Sequence, residues 1–378
     1  MKVLYIGHYR EFGGWGQAAK DHILALDKVG VDVVCRNVTL TGDREITGRL
    51  LELEQKDTSG CDVCIQHVLP HHLVGTRQFR KNIAFVETET VSIKHLPWFD
   101  LLKQADEVWT PNRQAKEFLD ADGLNVPTAV VPHPCDIKKY AGSYKDVNIP
   151  PAEGKFRFYY IGDMNDRKNI DAIITCFHSE FDAGENAALI LKINKFGKSQ
   201  QEIKDVFDKR LFDVKQSLRM HPNPTDYARD ITIIGELPDD QLYGLHKYCH
   251  CFLSPSHGEA WSLPAFDAMV FGNTPICSDF GGPREFIDRN NAQTGTLVGG
   301  CYKTCKCSDS AFPDMFTGRE FWFDADEMQM RAAMRRYFEA AKDDPAAAKR
   351  ANQAYCIGLA QQFDYDAVGT LMKDKLNE

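Results

Sequence analysis

The sequence predicts an α/β protein built from two doubly wound domains. Short apolar runs alternate with amphipathic helical patterns along the chain, an order typical of parallel sheets flanked by helices. The pair Pro150-Pro151 is followed by Ala-Glu-Gly and then by a new apolar run, so it is interpreted as an interdomain linker. With 378 residues, the chain is long enough for two domains.

The first predicted domain covers residues 1–150 and opens with a buried strand over 1–7. A turn containing Gly13 and Gly14 follows, and an amphipathic pattern then predicts a helix over 17–29. Further strands are predicted over 31–38, 62–66, 83–86, 107–110 and 128–131. Ligands of such sheets bind beyond the carboxyl ends of the strands, so residues that follow each strand are candidates for a site.

The second predicted domain covers residues 151–357, and the remaining residues, 358–378, form a terminal helix over 363–376. Strands of this domain are predicted over 156–161, 188–193 and 231–234. Both domains are therefore predicted to be Rossmann-like units, each with its own parallel sheet.

Composition narrows the functional classes. The net charge is −9 and no Lys/Arg cluster is present, which argues against a nucleic-acid-binding surface. The first residues lack the long apolar region of a signal peptide, and no run of about 18 apolar residues predicts a membrane span. Twelve cysteines without a secretory signal indicate a reducing, cytoplasmic location. For Cys301, Cys305 and Cys307, ordinary loop thiols are favoured over a zinc site.

The segment 257–269 predicts a loop that leads into a helix. Pro264 suits the first turn of a helix, and Gly272 suits a position just beyond its end. The helix should therefore begin near Ser262 or Leu263, with unpaired backbone N–H groups that attract a phosphate.

Two carboxylates accompany this predicted phosphate site. Glu259 lies before the helix start and Asp267 lies one turn inside the helix. A pair of carboxylates beside a phosphate site is suited to binding hydroxyls on both sides of a diphosphate. The pattern therefore favours a nucleotide sugar as the ligand.

The same segment resembles a signature of the family-4 retaining glycosyltransferases, which reads E-G-F-G-L-P-x-x-E-A-M. Glu259 matches the first Glu, and Asp267 stands in place of the second. Downstream, residues 272–286 resemble the family pattern G-x-P-V-I-x-x-x-x-G-G-x-x-E. The resemblance implies the GT-B fold, in which two Rossmann-like domains face each other across a cleft. It also implies that the donor binds the second domain, that the acceptor binds mainly the first, and that the terminal helix crosses back to the first.

Residues 161–170 resemble a second family pattern, V-G-R-L-x-x-x-K-G. The resemblance assigns Gly162 and Lys168 to the diphosphate. Asp163 stands where the family carries an Arg, and Arg167 is a candidate replacement because a guanidinium can bind phosphate through two hydrogen bonds.

The resemblance also assigns donor-binding roles to backbone groups. Gly13 and Gly14 are expected to face the donor diphosphate, and the turn at Glu236 and Leu237 is expected to lie beside the nucleotide base. At the predicted helix start, the assigned residues are Ala260, Trp261, Ser262 and Leu263.

Two residues of the first domain are candidates on the acceptor side. His67 follows a predicted strand at a place where the family often carries a His near the transferred sugar. Glu87 follows the next strand and resembles part of a subgroup pattern, E-T…W…D-E-V-W, so it is a candidate contact for the acceptor.

These assignments predict a retaining, metal-independent transferase that moves a hexose from a nucleotide-diphosphate sugar to an acceptor hydroxyl, without a cofactor. Glu259, His67, Lys168 and Arg167 are the candidates at the reacting centre. The donor base stays open among UDP, GDP and ADP. The acceptor stays open among carbohydrates, lipid-linked sugars and other small hydroxyl compounds. Peripheral contact of the protein with a membrane also stays open. The alternatives are a nucleotide-sugar epimerase and a degenerate homologue that only binds sugar nucleotides.

Overall fold

The computed structural model describes residues 1–40, 44–145, 147–307 and 315–378, and for Pro224 the backbone alone. The chain divides into two compact units. Unit 1 comprises Met1–Lys139 and Ala360–Glu378 with a short segment that ends at Phe321, and unit 2 comprises the remainder. Each unit contains one six-stranded sheet, so the predicted fold class of two doubly wound α/β domains is confirmed.

The sheet of unit 1 is parallel throughout its described pairs and has the strand order β2-β1-β3-β4-β5-β6. Its central strands are buried, as expected for a sheet covered by helices on both faces. The strands are β1 Lys2–Gly7, β2 Asp32–Asn37, β3 Val63–His67, β4 Lys81–Phe85, β5 Glu107–Thr110 and β6 Thr128–Val130. Their carboxyl ends carry His67 and, two residues after β4, Glu87.

The helices of unit 1 are α1 Gly14–Lys28, α2 Gly48–Gln55, α3 Phe99–Leu102, α4 Arg113–Ala121 and, at the end of the chain, α12 Tyr365–Asn377. Helix α12 packs against α1, and its residues Met372 and Leu376 are fully buried in the core of this unit. A Cβ at Gly369 would lie 2.4 Å from the carbonyl oxygen of Ala25, so the close contact of these two helices requires glycine there.

Helix α1 begins three residues earlier than the apolar pattern predicts, at Gly14 instead of Gln17. Gly13 precedes it with a φ of 90°, a left-handed conformation that favours glycine. A Cβ at Gly16 would lie 1.9 Å from the carbonyl oxygen of Glu11, so the first turn packs directly on the preceding loop. Helix propensity disfavours glycine, which is why the sequence pattern concealed this first turn.

The sheet of unit 2 has the order β12-β11-β10-β7-β8-β9, and its pairs are parallel in the described residues. The strands are β7 Phe156–Asp163, β8 Ala187–Asn194, β9 Arg229–Ile234, β10 Cys251–Ser254, β11 Ile276–Ser278 and β12 Thr296–Val298, with a separate pair, β13 Gly300–Thr304 and β14 Phe321–Ala325. The helices are α5 Ile170–Glu180, α6 Gln200–Leu218, α7 Asp239–Tyr248, α8 Leu263–Val270, α9 Pro283–Phe286, α10 Glu327–Ala341 and α11 Pro345–Ala360.

In the part of the chain that the structure describes, no helix is long and apolar enough to cross a membrane. All twelve cysteines lie in the described ranges, and none of them forms a disulfide.

Candidate functional site

In unit 2, two loops that follow β7 and β10 are joined by hydrogen bonds. The backbone N–H of His257 donates to the carbonyl of Arg167 over 2.7 Å. The side-chain amide of Asn169 donates to the carbonyl of Pro255 over 3.2 Å. These strands are neighbours in the sheet, so their carboxyl ends place the two loops side by side.

This contact brings the Glu259 carboxylate against two cations. The Nζ atom of Lys168 lies 2.6 Å from Oε1 of Glu259, and Nη1 of Arg167 lies 3.4 Å from the same oxygen. Arg167 also donates to the carbonyl of Gly258 over 2.5 Å. Burial raises the pKa of the Glu259 carboxyl, but Lys168 and Arg167 outweigh it, and the pKa lies below its ordinary value. Glu259 is therefore an ionised carboxylate held between two positive groups.

The Gly-Gly pair of the downstream motif has a packing role at this loop. A Cβ at Gly281 would lie 2.0 Å from the carbonyl oxygen of Glu259, and one at Gly282 would lie 2.2 Å from the Cα of Trp261. The N–H of Gly282 donates to that same Glu259 carbonyl over 2.9 Å. The two glycines thus let the chain pass directly against the loop and fix its backbone.

Helix α8 begins at Leu263, as the sequence predicts, and Pro264 lies in its first turn. Ser262 precedes it with a φ of 73°, a left-handed conformation that is costly for a residue with a side chain. Its side chain makes no capping hydrogen bond, but its carbonyl accepts from the N–H groups of Ala265 and Phe266 over 3.1 Å each. Pro264 has no N–H, so Ser262 and Leu263 supply the N–H groups that can face a ligand at this helix start. Such a helix start can bind an anion.

Asp267 lies on α8 and is 7% exposed. Its Oδ1 accepts a hydrogen bond of 2.7 Å from the hydroxyl of Tyr140, whose ring packs edge-on against Phe271 with 5.2 Å between the ring centroids. Sequence reasoning missed Tyr140, because it lies 127 residues away from Asp267 and in no recognisable motif.

The remaining predicted residues of unit 2 lie at the ends of β7 and β9. Gly162 and Asp163 are the last two residues of β7. Burial raises the pKa of Asp163, and the side-chain amide of Asn165 donates to it over 3.4 Å. Glu236 and Leu237 follow β9, where Glu236 is exposed and Leu237 is half-buried.

In unit 1, the glycine loop after β1 is open to solvent. Gly13 and Gly14 are both exposed, and a Cβ built on Gly13 would meet no atom within 4 Å among the described residues. Trp15 follows them, and its half-buried ring lies 5.8 Å from the ring of His67 between centroids.

His67, the predicted contact of the transferred sugar, lies at the end of β3. The His67 side chain is fully buried; its Nε2 lies 2.9 Å from Oε1 of Glu87, and its Nδ1 lies 2.7 Å from the hydroxyl of Tyr5. Because both ring nitrogens are occupied, His67 is a partner of Glu87 here and not a free hydrogen-bonding group. His133 reaches the same Glu87 oxygen over 3.1 Å. The sequence patterns did not identify His133 as a site residue, although its position just after β6 could have marked it.

Within the described ranges, no group of three or more His, Cys, Asp or Glu side chains is arranged to hold a metal ion. Cys301, Cys305 and Cys307 lie within these described ranges and belong to no such group.

Comparisons with known proteins agree with the fold. Residues 216–303 match the family model described as "Glycosyl transferases group 1", a range that includes Glu259 and Asp267 but not Arg167 or Lys168. The predicted resemblance to glycosyltransferases is thus confirmed over that range. No curated protein matches the sequence.

Solved structures are similar over the whole chain. A sucrose-phosphate synthase from Thermosynechococcus elongatus has a TM-score of 0.67 at 16% identity, covering 100% of this chain and 98% of its own. Anabaena HepE in complex with UDP-glucose has a TM-score of 0.65 at 12% identity, with coverages of 100% and 99%. The trehalose-6-phosphate synthase OtsA has a TM-score of 0.66 at 11% identity, again with coverages of 100% and 99%. At these identities the similarity establishes the fold, which is that of GT-B proteins.

Proposed function

We propose that this protein is a retaining glycosyltransferase that moves a hexose from a nucleotide-diphosphate sugar to an acceptor hydroxyl. The observation that carries the proposal is the buried Glu259 carboxylate between Lys168 and Arg167, next to the start of α8. The family match over residues 216–303 and the UDP-glucose complex of the similar Anabaena protein support it. UDP-glucose is accordingly the first donor to test.

In the proposed reaction, the bond between the anomeric carbon and the diphosphate breaks, and negative charge develops on the departing oxygen. Lys168, Arg167 and the backbone N–H groups at the start of α8 stabilise that charge. One well-placed donor of this kind contributes about 3–4 kcal/mol to catalysis. Glu259 orients the cations and accepts hydrogen bonds from sugar hydroxyls.

Retention of the anomeric configuration follows, in this proposal, from attack on the face that the diphosphate leaves. Glu259 is paired with Lys168 and ionised, which suits a group that orients and does not form a covalent bond. Since two cations and a helix start supply positive charge, we propose that no metal is needed. The reaction should therefore proceed unchanged in the presence of a chelator such as EDTA.

A donor screen tests the proposal. UDP-, GDP- and ADP-glucose are added separately to the purified protein, and unfolding is followed by calorimetry. A donor at about 100 times its Kd should stabilise the folded protein by about 2.7 kcal/mol. Stabilisation by UDP-glucose with turnover in EDTA is the expected result. Stabilisation by none of the three would contradict the proposal, and binding without any hydrolysis or transfer would favour a degenerate sugar-nucleotide-binding protein.

Tyr140 should contribute to donor affinity through Asp267, for which we propose contact with the donor ribose. In the Tyr140→Phe variant the Asp267 carboxylate loses a buried hydrogen bond, and such a bond to a charged group is worth about 1.5–3 kcal/mol. Because water or the ribose can partly replace the bond, we expect the donor Kd to rise about tenfold, or by about 1.4 kcal/mol. Titration calorimetry with the donor measures it.

The matched control is Tyr248→Phe, because the hydroxyl of Tyr248 also lies in unit 2 but donates to the carbonyl of Ile149. It should leave the donor Kd unchanged. Equal donor Kd values for the Tyr140→Phe variant and the unmodified protein would remove Asp267 from the proposed ribose contact.

A further inference from the structure

Unit 1 contains a continuous chain of buried hydrogen bonds that the proposed donor chemistry does not use. Oε1 of Glu87 lies 2.9 Å from Nε2 of His67 and 3.1 Å from Nε2 of His133. Nδ1 of His133 lies 2.9 Å from Nε2 of His22, and Nδ1 of His67 lies 2.7 Å from the Tyr5 hydroxyl. All three imidazoles are buried, with at most 3% of each residue exposed.

An ionised Glu87 carboxylate sets the direction of the two hydrogen bonds that His67 and His133 make to it. An ionised carboxylate only accepts, so both His67 and His133 donate from Nε2 to Glu87. The Nδ1 atom of His67 then faces the Tyr5 hydroxyl, and the Nδ1 atom of His133 faces Nε2 of His22. Burial lowers the pKa of His67 and lowers that of His22 further, which favours the neutral rings that this arrangement needs.

The two histidines leave the second carboxylate oxygen of Glu87, Oε2, without a hydrogen bond from them. Both histidines bind Oε1, whereas Oε2 makes no hydrogen bond within the described residues; the Glu87 side chain is 10% exposed. Burial raises the pKa of Glu87, but His133 and His67 outweigh it, and the pKa lies well below its ordinary value. Glu87 is therefore an ionised, largely buried carboxylate whose Oε2 remains as a hydrogen-bond acceptor. The half-buried ring of Trp15, which packs near His67, offers a flat apolar surface on the same part of unit 1.

On the premise of the proposed transfer reaction, we propose that His67, His133 and His22 are positioning residues that hold Glu87 as the carboxylate receiving the acceptor hydroxyl. The acceptor is accordingly an uncharged sugar or polyol. Its hydroxyl donates to Oε2 and its ring carbons can pack on Trp15, while a sugar phosphate would bring a second anion towards the Glu87 carboxylate.

The proton balance of this step leaves Glu87 ionised. The acceptor oxygen forms a bond to the anomeric carbon as the bond to the diphosphate breaks, and the hydroxyl proton leaves with the departing phosphate. Glu87 orients the hydroxyl and takes no net proton. Loss of its positioning partners should consequently lower the rate of transfer and leave donor binding intact.

The experiment compares His133→Phe with His133→Gln in the full-length protein. Phenylalanine keeps a ring beside Phe85, which stacks on His133 with 5.7 Å between centroids, but cannot donate to Glu87. Glutamine keeps an amide donor. The donor is whichever of UDP-, GDP- or ADP-glucose stabilises the protein, and the acceptors are glucose and fructose, each with its 6-phosphate. His178→Phe, a fully buried histidine of unit 2, is the control.

We expect His133→Phe to lower kcat for transfer by about 30-fold with the donor KM unchanged, and His133→Gln to recover most of the rate. Thermal stability should fall in His133→Phe, because Glu87 and His22 each lose a buried hydrogen-bond partner. Each neutral sugar should be used about tenfold more efficiently than its phosphate. Unchanged transfer by His133→Phe, a parallel loss of donor affinity, or a preference for the phosphates would each overturn the inference. A protein that binds none of the donors would overturn the proposed function as well, whereas donor hydrolysis without transfer to a neutral sugar would overturn the inference alone.

Discussion

Glu259→Gln should lower kcat/KM for glycosyl transfer by about 10³-fold, because it removes the charge on which Lys168 and Arg167 converge. Glutamine has the size of glutamate and retains one hydrogen-bonding oxygen, so the loop that Gly281 and Gly282 support should keep its shape. The two cations then lose their common partner and their orientation towards a departing phosphate. Steady-state kinetics with saturating acceptor measures the effect.

The same substitution should reduce stability at neutral pH. Breaking a fully buried ion pair costs about 3–5 kcal/mol, and we expect about 1–2 kcal/mol here because glutamine retains a hydrogen bond. The side chains of Lys168 and Arg167 are 18% and 15% exposed, so water also partly solvates their charges once the Glu259 carboxylate is removed. The folded-state pKa of Glu259 is lowered, so the ionised carboxylate contributes fully to stability above its ordinary pKa of 4.5. This contribution is lost as the pH falls from there through the lowered pKa of the folded state. The stability gap between the two proteins should therefore close in acid, which denaturant unfolding across pH measures.

Glu202→Gln is the matched control for this prediction. Glu202 lies in unit 2 and pairs with Lys198, but its side chain is 53% exposed and caps the start of α6. Glutamine can serve in the same capping arrangement, so both stability and turnover should stay near their original values. Donor turnover by Glu259→Gln at the rate of this control would remove Glu259 from the proposed reaction.

Most strands of the fold were predictable from the sequence, including the short β5 and β6. Strands β7 and β8 are eight residues each and mostly apolar, so their patterns are unambiguous. Strands β10, β11 and β12, of four, three and three residues, were not predicted, although β5 and β6 are as short. The local motif at 257–269 nevertheless identified the loop after β10 and the start of α8.

The site was predictable where one motif contained its residues and not where distant segments meet. Lys168 and Glu259 were both identified, but their direct contact depends on adjacent parallel strands 91 residues apart in sequence. His67 and Glu87 were identified as separate contacts, whereas the structure joins them through one hydrogen bond. His133 comes to Glu87 from the end of another strand. Periodicity describes each strand but not which side chains meet at the sheet edge.

Lys168→Met should lower kcat by about 10²–10³-fold, the cost of removing one donor to a developing negative charge. Methionine keeps the length and apolar stem of lysine, so the substitution removes mainly the charge. Arg167→Met should have a smaller effect, because the Arg167 guanidinium already donates to the carbonyl of Gly258 and is less free to follow the phosphate. Pre-steady-state measurement with one donor turnover separates this chemical step from product release. Lys198→Met removes an exposed lysine from the same unit and should leave kcat unchanged.

A double-mutant cycle tests whether Lys168 and Glu259 act as one unit. If Glu259 orients Lys168, each single substitution already removes most of what the pair contributes, so Lys168→Met added to Glu259→Gln should cost much less than it does alone. The cation and the carboxylate also share a buried contact of 2.6 Å, so the double variant should regain stability relative to either single variant because no unpaired charge is left. Fully additive losses in kcat would instead mean that the two residues act on different parts of the donor. In that case Lys168 would bind phosphate independently of Glu259, and the carboxylate would act on the sugar alone.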